Sequence, residues 1–221
     1  MFDSQQFSKS LKTLLNDYLE GKDIDLSGIE AQLIELSNYD LSLLSNDALK
    51  KAFWINLYNG LTNYFIVANQ VKETVWELPN FFKELTVPIA ELNFSLDDIE
   101  HGILRRNGLR KPGKPIQFKN GDPKLELMVE HFDPRIHFAL NCGSISCPPL
   151  AFYTVEEIEH ELALAEESFA SQEFVVNHAS QNITCSELFV WYRGDFPGAY
   201  LNDPLLKEYE YKAKPYVWKM H

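Results

Sequence analysis

Residues 131–150 hold the densest group of side chains in the chain that can do chemistry. The segment contains His137 and two cysteines, Cys142 and Cys147, in a turn that is rich in glycine and serine and closed by two prolines. An imidazole beside a thiol can take its proton and leave a nucleophilic thiolate. We therefore predict a Cys-His site for acyl chemistry, in which either cysteine is the nucleophile and backbone N–H groups of the turn stabilise an oxyanion.

Several polar residues could support this pair. The alternation of polar and apolar residues predicts a central strand over Arg135–Asn141, with Arg135, His137 and Asn141 on one face. Glu100 falls in the apolar arc of a predicted helix, where a carboxylate needs a cation or several donors. We predict that Glu100 pairs with Arg135, or that Glu100 or Asn141 orients His137. The predicted catalytic residues are Cys142, Cys147, His137 and Glu100, and the predicted substrate-binding residues are Arg135, His101, Arg105, Asn141, Ser144, Ser146, Asn56 and Asn59.

The same residue types are possible zinc ligands. His101, His137, Cys142 and Cys147 have the right chemistry, but two cysteines separated by four residues, with distant histidines, are not typical of a zinc site. We therefore predict no metal and no cofactor. Three cysteines form no disulfide framework, which favours a reducing compartment. A disulfide between Cys142 and Cys147 remains an alternative, and Cys185 is predicted to be a buried apolar residue.

The elements that must position these residues begin with a long helix predicted over Asp47–Asn69. This helix is apolar over most of its circumference and is therefore predicted to be buried. Its remaining stripe carries Asn56, Asn59 and Asn63 rather than lysine or glutamate. Buried amides must find hydrogen-bond partners, so these side chains either brace neighbouring loops or line a pocket. The two interpretations are compatible.

The other elements predict an α+β fold: a helix-rich single domain packed around a small, mostly antiparallel sheet. Residues 1–44 form a predicted N-terminal helical extension, and residues 45–221 form the main domain with the C-terminal tail packed on it. The predicted elements are helices over Ser4–Glu20, Ile29–Leu36, Ser95–Arg106 and Thr154–Phe169, a hairpin over Val87–Phe94, a strand over Lys114–Lys119, and a hairpin formed by Phe174–Asn177 and Ile183–Cys185.

Composition restricts the partners. The net charge of −12 disfavours binding to nucleic acid, and the local basic run over residues 105–114 is interpreted as a solvated loop. The most apolar stretch, residues 52–68, is interrupted by asparagines, so no membrane span is predicted. The N-terminus does not resemble a signal peptide, so we expect a cytoplasmic protein unless a leader has been removed.

Four blocks of the chain resemble the domain of unknown function 547 family, over roughly residues 45–196. The blocks are Ala52–Asn59, Asp98–His101 with Leu104-Arg105, Asp133–Ser144 with Ser146–Pro148, and a C-terminal block with Phe189, Trp191, Tyr192, Asp195 and Phe196. The resemblance implies a shared domain without an assigned reaction. Some plant relatives join this domain to leucine-zipper-like or glutaredoxin-like regions, which is compatible with an interaction or thiol-linked role. The arrangement of a buried helix and a histidine-bearing strand also has a looser likeness to papain-like and transglutaminase-like folds. Here the histidine precedes the cysteine along the chain, so any kinship would be permuted.

Three functions are therefore open at this point. The leading hypothesis is a cysteine-dependent hydrolase or acyltransferase that acts on a small carbonyl or anionic substrate, either a small molecule or a peptide. In it, Arg135 and His101 would bind the carbonyl or anionic group. The first alternative is a non-enzymatic protein-interaction domain in which the polar residues form a buried brace. The second alternative is a zinc-binding domain.

Overall fold

The computed structural model describes residues 2–108 and 116–220, and within these ranges the predicted α+β class is confirmed. Strands β1 and β2 form an antiparallel hairpin, whereas β3, β4 and β5 form a second sheet in which β3 is antiparallel and β5 parallel to β4. The helices are α1 (Ser4–Leu19), α2 (Ser27–Ser37), α3 (Asp47–Ala68), α4 (Phe81–Glu84), a π-helix (Asp98–Leu104), α5 (Ile158–Glu173) and α6 (Glu187–Trp191), and the strands are β1 (Thr86–Ile89), β2 (Leu92–Ser95), β3 (Phe174–Asn177), β4 (Asn182–Ser186) and β5 (Glu210–Lys214).

Helix α3 is the centre of the larger hydrophobic core. Its burial on nearly all sides agrees with the apolar character of its sequence. The helix begins after Asn46, whose side chain accepts a hydrogen bond from the backbone N–H of Leu49. Helix α1 crosses α3 closely at Gly60, where a Cβ atom would lie 2.8 Å from the Phe7 ring and 3.3 Å from the Cα of Ser8. A larger residue at position 60 would therefore push the two helices apart.

A smaller aromatic core lies between α5, the second sheet and the C-terminal segment. Phe138 packs against Phe169, Phe189 and Phe196 in this core. Its neighbours in sequence, Ile136 and Ala139, belong to the larger core instead. The segment around His137 therefore runs between the two cores and is held by both.

The helix predicted after Ser95 is a π-helix over Asp98–Leu104. A capping box begins this helix, because Ser95 Oγ accepts from the Asp98 N–H and Asp98 Oδ2 accepts from the Ser95 N–H, each at 3.1 Å. The backbone N–H of Arg105 donates to the carbonyl of Glu100, five residues earlier. The widened turn buries His101 and Arg105 together with Glu100.

The strand predicted over Arg135–Asn141 is wrong. Residues Pro134–Phe138 form a 3₁₀ turn, capped by Asp133, whose carboxylate accepts from the Arg135 N–H. Pro134 at the first position of the turn fixes φ near its helical value. The backbone beyond the turn pairs with the side chain of Asn59 rather than with a strand. The period-2 pattern was therefore not sufficient evidence for a strand.

Part of the predicted Lys114–Lys119 strand, and Arg110, Lys111 and Lys114 of the basic run, lie outside the described residues. Residues 116–119 form a loop, so a strand there is wrong. Both predicted hairpins are confirmed, as β1–β2 and β3–β4. None of the described helices has the length and apolar character needed to cross a membrane.

Candidate functional site

Cys142 and Cys147 form a disulfide in this structure, the alternative that the sequence left open. Their Cα atoms lie 6.3 Å apart across a short loop. Asn141 ties the two ends of this loop together: its side-chain Oδ1 accepts from the Gly143 N–H, and its Nδ2 donates to the carbonyl of Pro148, each at 2.8 Å. Gly143 has φ +82°, and a Cβ atom there would also lie 2.7 Å from Ile66. Glycine therefore satisfies both the backbone and the space at this turn.

Three donors surround the sulfur of Cys147. The backbone N–H of Cys142 donates to Cys147 Sγ at 2.9 Å, and the hydroxyl of Ser144 lies 3.6 Å from the same atom. The Tyr216 hydroxyl contacts both sulfurs, at 3.1 Å from Cys147 and 3.2 Å from Cys142. Burial raises the pKa of Tyr216 to about 12, so this hydroxyl stays protonated at neutral pH and can donate.

His137 is fully buried and bound to Asp195, with His137 Nε2 2.8 Å from Asp195 Oδ2. Burial lowers the pKa of His137 below 6.5 and outweighs the opposing effects of Asp195 and Glu100. Burial acts to raise the pKa of Asp195, but hydrogen bonds from His137 and Arg105 overcome it and the pKa is lowered. Asp195 is therefore an ionised acceptor, and His137 is neutral at pH 7. The Nε2–H must donate to Asp195, which leaves the lone pair on Nδ1.

Tyr192 connects this pair to Glu100. Its ring stacks on His137, with ring centroids 3.8 Å apart, and its hydroxyl donates to Glu100 Oε1 at 2.6 Å. The Tyr58 hydroxyl donates to the other carboxylate oxygen at 3.2 Å. Burial and the charge of Glu100 both raise the pKa of Tyr58. The Arg105 guanidinium donates to Asp195 at 2.8 Å and lies over the Tyr192 ring. These contacts hold the His137 ring in one orientation.

The four predicted catalytic residues line one small cavity of about 60 Å³. Aromatic side chains form much of the remaining wall, namely Tyr58, Phe82, Trp191, Tyr192, Tyr216 and Trp218. The segments that were far apart in sequence thus converge on the same space.

A second cavity, of about 660 Å³, also borders the cysteine loop. Cys147 and Pro148 line both cavities, whereas Cys142 lines the smaller one. Three predicted binding residues, Asn141, Ser144 and Ser146, line the larger cavity. Cys147 therefore lies at the junction between a roomy cavity and the cavity that contains His137.

The Arg135 side chain binds two carboxylates that lie away from the cavity with His137. Its guanidinium donates to Asp133 at 2.7 and 2.9 Å and to Glu159, and Lys51 binds the same two carboxylates. The predicted pairing of Arg135 with Glu100 is therefore wrong. Arg135 lines neither of the two cavities that flank the cysteine loop.

Asn56 and Asn59 brace backbone segments. Asn56 exchanges two hydrogen bonds with the backbone of Tyr153, at 2.7 and 3.0 Å. Asn59 Nδ2 donates to the carbonyl of Ala139 at 3.0 Å, and its Oδ1 accepts from the Asn141 N–H at 2.8 Å. Asn59 thus fixes the chain just before the cysteine loop. A direct role for either amide in substrate binding stays a prediction.

The sequence did not single out Asp195, Tyr192 or Tyr216 as site residues. Asp195 is separated from His137 by 58 residues, and Tyr216 is separated from Cys147 by 69. Local spacing carries no information about such contacts. For Asp195 and Tyr192, the only available signal was their presence in the C-terminal block of the family resemblance.

Metal ligation finds little support in the geometry. Across residues 2–108 and 116–220, no three or more His, Cys, Asp and Glu side chains are arranged so that they could hold a metal ion. The two thiols that a zinc site would need are bonded to each other. The zinc alternative therefore has no ligand set in the described part of the chain.

The chain was compared with known proteins and protein families. No curated protein and no solved structure gave a match. A family model described as "Protein of unknown function, DUF547" matches residues 41–170, which is more than half of the chain. The match includes Glu100, His137, Cys142 and Cys147, whereas Asp195 and Tyr216 lie beyond it. The protein belongs to the DUF547 family.

Proposed function

We propose that the protein is a cysteine-dependent hydrolase or acyltransferase, with Cys147 as the nucleophile and His137 as the general base. One observation carries this proposal: the sulfur pair and His137 line the same small cavity, and Cys147 also lines the larger one. A substrate in the larger cavity would reach Cys147, which also lines the smaller cavity together with the proposed base.

Cys147 is a better nucleophile candidate than Cys142 because its sulfur also accepts from the Cys142 N–H, whereas the Ser144 and Tyr216 hydroxyls lie near both sulfurs. The Cys142 N–H, the Ser144 hydroxyl and the Tyr216 hydroxyl would all stabilise a thiolate at Cys147. Hydrogen bonds to an ionised group favour that form and lower its pKa. The same donors could stabilise the negative charge that develops on a substrate oxygen near this sulfur.

His137 has the properties of a general base at neutral pH. It is uncharged because burial lowers its pKa, and Asp195 holds the proton-bearing Nε2. Nδ1 is left with the lone pair that would take the thiol proton. Glu100 accepts from the Tyr192 hydroxyl, and the Tyr192 ring stacks on the imidazole, so we assign Glu100 a positioning role rather than a catalytic one.

The reaction requires the reduced form of the cysteine pair. A dithiol reductant would transfer two electrons to the disulfide and itself become a disulfide. The Cys147 thiolate would then attack a carbonyl carbon, the bond to the leaving group would break, and the leaving group would take the proton from His137. Water, or an acceptor hydroxyl or amine, would finally cleave the thioester.

The test is thiol alkylation by iodoacetamide at pH 6–7, followed by mass spectrometry of each cysteine. After reduction with a dithiol we expect Cys147 to react much faster than the buried Cys185, and His137→Asn to slow it by at least tenfold. The matched control is His160→Asn, which changes an exposed histidine on α5 and should leave the rate unchanged. Without reductant, neither Cys142 nor Cys147 should react.

A model ester gives the second readout. With p-nitrophenyl acetate, the reduced protein should acquire an acetyl group on Cys147, and Cys147→Ser should abolish it while Cys142→Ser should retain it. Equal labelling rates for Cys147 and Cys185, or a Cys147 rate that His137→Asn does not alter, would overturn the proposal.

A second function is favoured by a different observation. The buried polar groups around His137 bind one another: Arg105 with Asp195, and Tyr58 and Tyr192 with Glu100. Such a network can serve as a structural brace in a protein-interaction domain without any reaction. Uniformly slow cysteine labelling that appears only on denaturation would favour this alternative.

A further inference from the structure

The disulfide between Cys142 and Cys147 closes a loop that hydrogen bonds already hold together. The Asn141 side chain bridges the two ends of the loop with two hydrogen bonds of 2.8 Å. Within the loop, the Cys147 N–H donates to the Ser144 carbonyl at 3.1 Å. A crosslink between residues five apart in sequence also restricts the unfolded chain less than one that closes a long loop. The fold is therefore expected to persist when this bond is reduced.

The C-terminal segment fixes the same loop through a second set of contacts. The Ile145 N–H donates to the Lys219 carbonyl at 2.9 Å. The Val217 N–H donates to the Ser146 hydroxyl, also at 2.9 Å. These groups do not change when the sulfurs are reduced, so the loop keeps the two thiols close together. The disulfide can then reform in an intramolecular step at a high effective concentration.

Access distinguishes the cysteine pair from the third cysteine. Cys142 and Cys147 are partly exposed, whereas Cys185 is buried and burial raises the pKa of its thiol. Cys147 lines the larger cavity, whose volume of about 660 Å³ falls in the range of small-molecule sites, roughly 300–1,000 Å³. Cys142 lines the smaller cavity of about 60 Å³. A thiol compound would therefore reach Cys147 more readily than Cys142.

The hydrogen-bond donors around the sulfurs favour the reduced pair. The Cys142 N–H and the Tyr216 hydroxyl lie 2.9 and 3.1 Å from Cys147 Sγ. The same hydroxyl lies 3.2 Å from Cys142 Sγ. A thiolate is a stronger acceptor than a disulfide sulfur, so these donors stabilise the reduced state relative to the oxidised one. These surroundings favour a disulfide that thiols can reduce.

We propose that Cys142 and Cys147 form a reversible centre for thiol–disulfide exchange with low-molecular-weight thiols, in which Cys147 is the sulfur that is attacked. An incoming thiolate would bond to Cys147 Sγ, the bond to Cys142 Sγ would break, and Cys142 would leave as a thiolate that accepts from the Tyr216 hydroxyl. A second thiolate would then attack the sulfur of the bound thiol and release Cys147. The two thiols become one disulfide, and the cysteine pair takes up their two electrons and two protons. This activity needs no acyl substrate.

The test follows exchange with glutathione by acid quenching and mass spectrometry of each cysteine. An excess of glutathione should reduce the disulfide of the folded protein, and glutathione disulfide should restore it, while Cys185 remains a thiol. Cys142→Ser should accumulate glutathione on Cys147, because the thiol that resolves the mixed disulfide is missing. Cys147→Ser should acquire glutathione on Cys142 at least tenfold more slowly.

The contribution of the tyrosine hydroxyl is tested with Tyr216→Phe. This change removes a donor to the thiolate, so the reduced pair should react with glutathione disulfide at pH 7 about three- to tenfold more slowly. The matched control is Tyr211→Phe, which changes an exposed tyrosine on β5 and should leave the rate unchanged. An equal rate in the two variants would overturn the role assigned to the Tyr216 hydroxyl.

A structural disulfide would give different results. The reduced wild-type protein should keep its folded circular-dichroism spectrum and a cooperative urea transition. Loss of that spectrum on reduction, reduction by glutathione only after denaturation, or faster labelling of Cys142 than of Cys147 would overturn the proposal. If exchange occurs but the model ester does not acetylate Cys147, the exchange centre stands and the acyl reaction fails. If Cys147 is acetylated but does not exchange with glutathione, the proposed function stands and the exchange centre fails.

Discussion

Arg135 and His137 are separated by a single residue, yet they enter two different polar clusters. Arg135 joins a charged cluster, which we define as Lys51, Asp133, Arg135 and Glu159. His137 joins a cavity cluster, which we define as Glu100, Arg105, His137, Tyr192 and Asp195. The charged cluster reaches solvent, since the Glu159 side chain is 65% exposed, whereas the His137 side chain is 1% exposed.

The two clusters differ in how burial and hydrogen bonds shift the pKa values of their ionisable groups. In the charged cluster, burial opposes the charge on Asp133, but hydrogen bonds from Arg135 and Lys51 overcome this effect and lower the pKa of Asp133. In the cavity cluster, burial dominates at His137 and keeps the imidazole neutral. One 3₁₀ turn thus supplies a stable cation to one cluster and an uncharged imidazole to the other. The surroundings, rather than the residue types, decide which group remains charged.

The largest expected difference between the clusters is in how much the protein loses in free energy of unfolding when one carboxylate is removed. Asp195→Ala removes the carboxylate that faces a guanidinium only 3% exposed, so we expect the free energy of unfolding to fall by about 3–5 kcal/mol. Asp133→Ala should cost about 1–2 kcal/mol, because Lys51 and Arg135 both keep Glu159. Urea unfolding of both variants measures this difference. Equal losses would show that burial does not distinguish the clusters.

The clusters should also differ in their response to pH. The folded state holds His137 with a pKa below 6.5, so below pH 6.5 the unfolded chain binds a proton that the folded one does not. Stability should therefore fall as the pH drops from 6.5 toward the folded pKa, by at most about 1.4 kcal/mol per pH unit. Urea midpoints measured from pH 7.5 to 5 should show this component in the wild type and in His160→Asn, and lack it in His137→Asn.

Asp133 behaves differently with pH. Its folded pKa is lowered from 3.8, so its contribution is present above pH 3.8 and is lost only as the pH falls through the folded value. Asp133→Asn should therefore leave the slope between pH 7.5 and 5 unchanged. A change in that slope would mean that the charged cluster, and not His137, controls stability near neutrality.

The smallest loss of stability is expected for a change at Glu159, the solvent-exposed member of the charged cluster. Glu159→Gln removes a carboxylate that is mostly exposed, and Lys51 and Arg135 keep Asp133 as their partner. We expect a loss of about 0.5 kcal/mol at low salt, which should shrink further in 1 M NaCl because exposed charges are screened. A loss as large as that of Asp133→Ala would contradict the expectation that the exposed carboxylate contributes less to stability than the buried one.

Features with short-range causes were predicted well from the sequence. The long apolar helix α3 and the start of a helix at Ser95 depend on residues within a few turns of each other, and both were confirmed. The two hairpins were confirmed for the same reason. The strand over Arg135–Asn141 failed because apolar alternation does not by itself distinguish a strand from a 3₁₀ turn between two cores.

By itself, the sequence determined the α+β class, the family and the convergence of Glu100, His137 and the two cysteines. Only the tertiary structure decided that Asp195 is the partner of His137 and that Arg135 turns away to Asp133. The physical reason is distance along the chain. Caps and periodicity act over a few residues, whereas burial and the pairing of groups 58 residues apart exist only once the chain has folded.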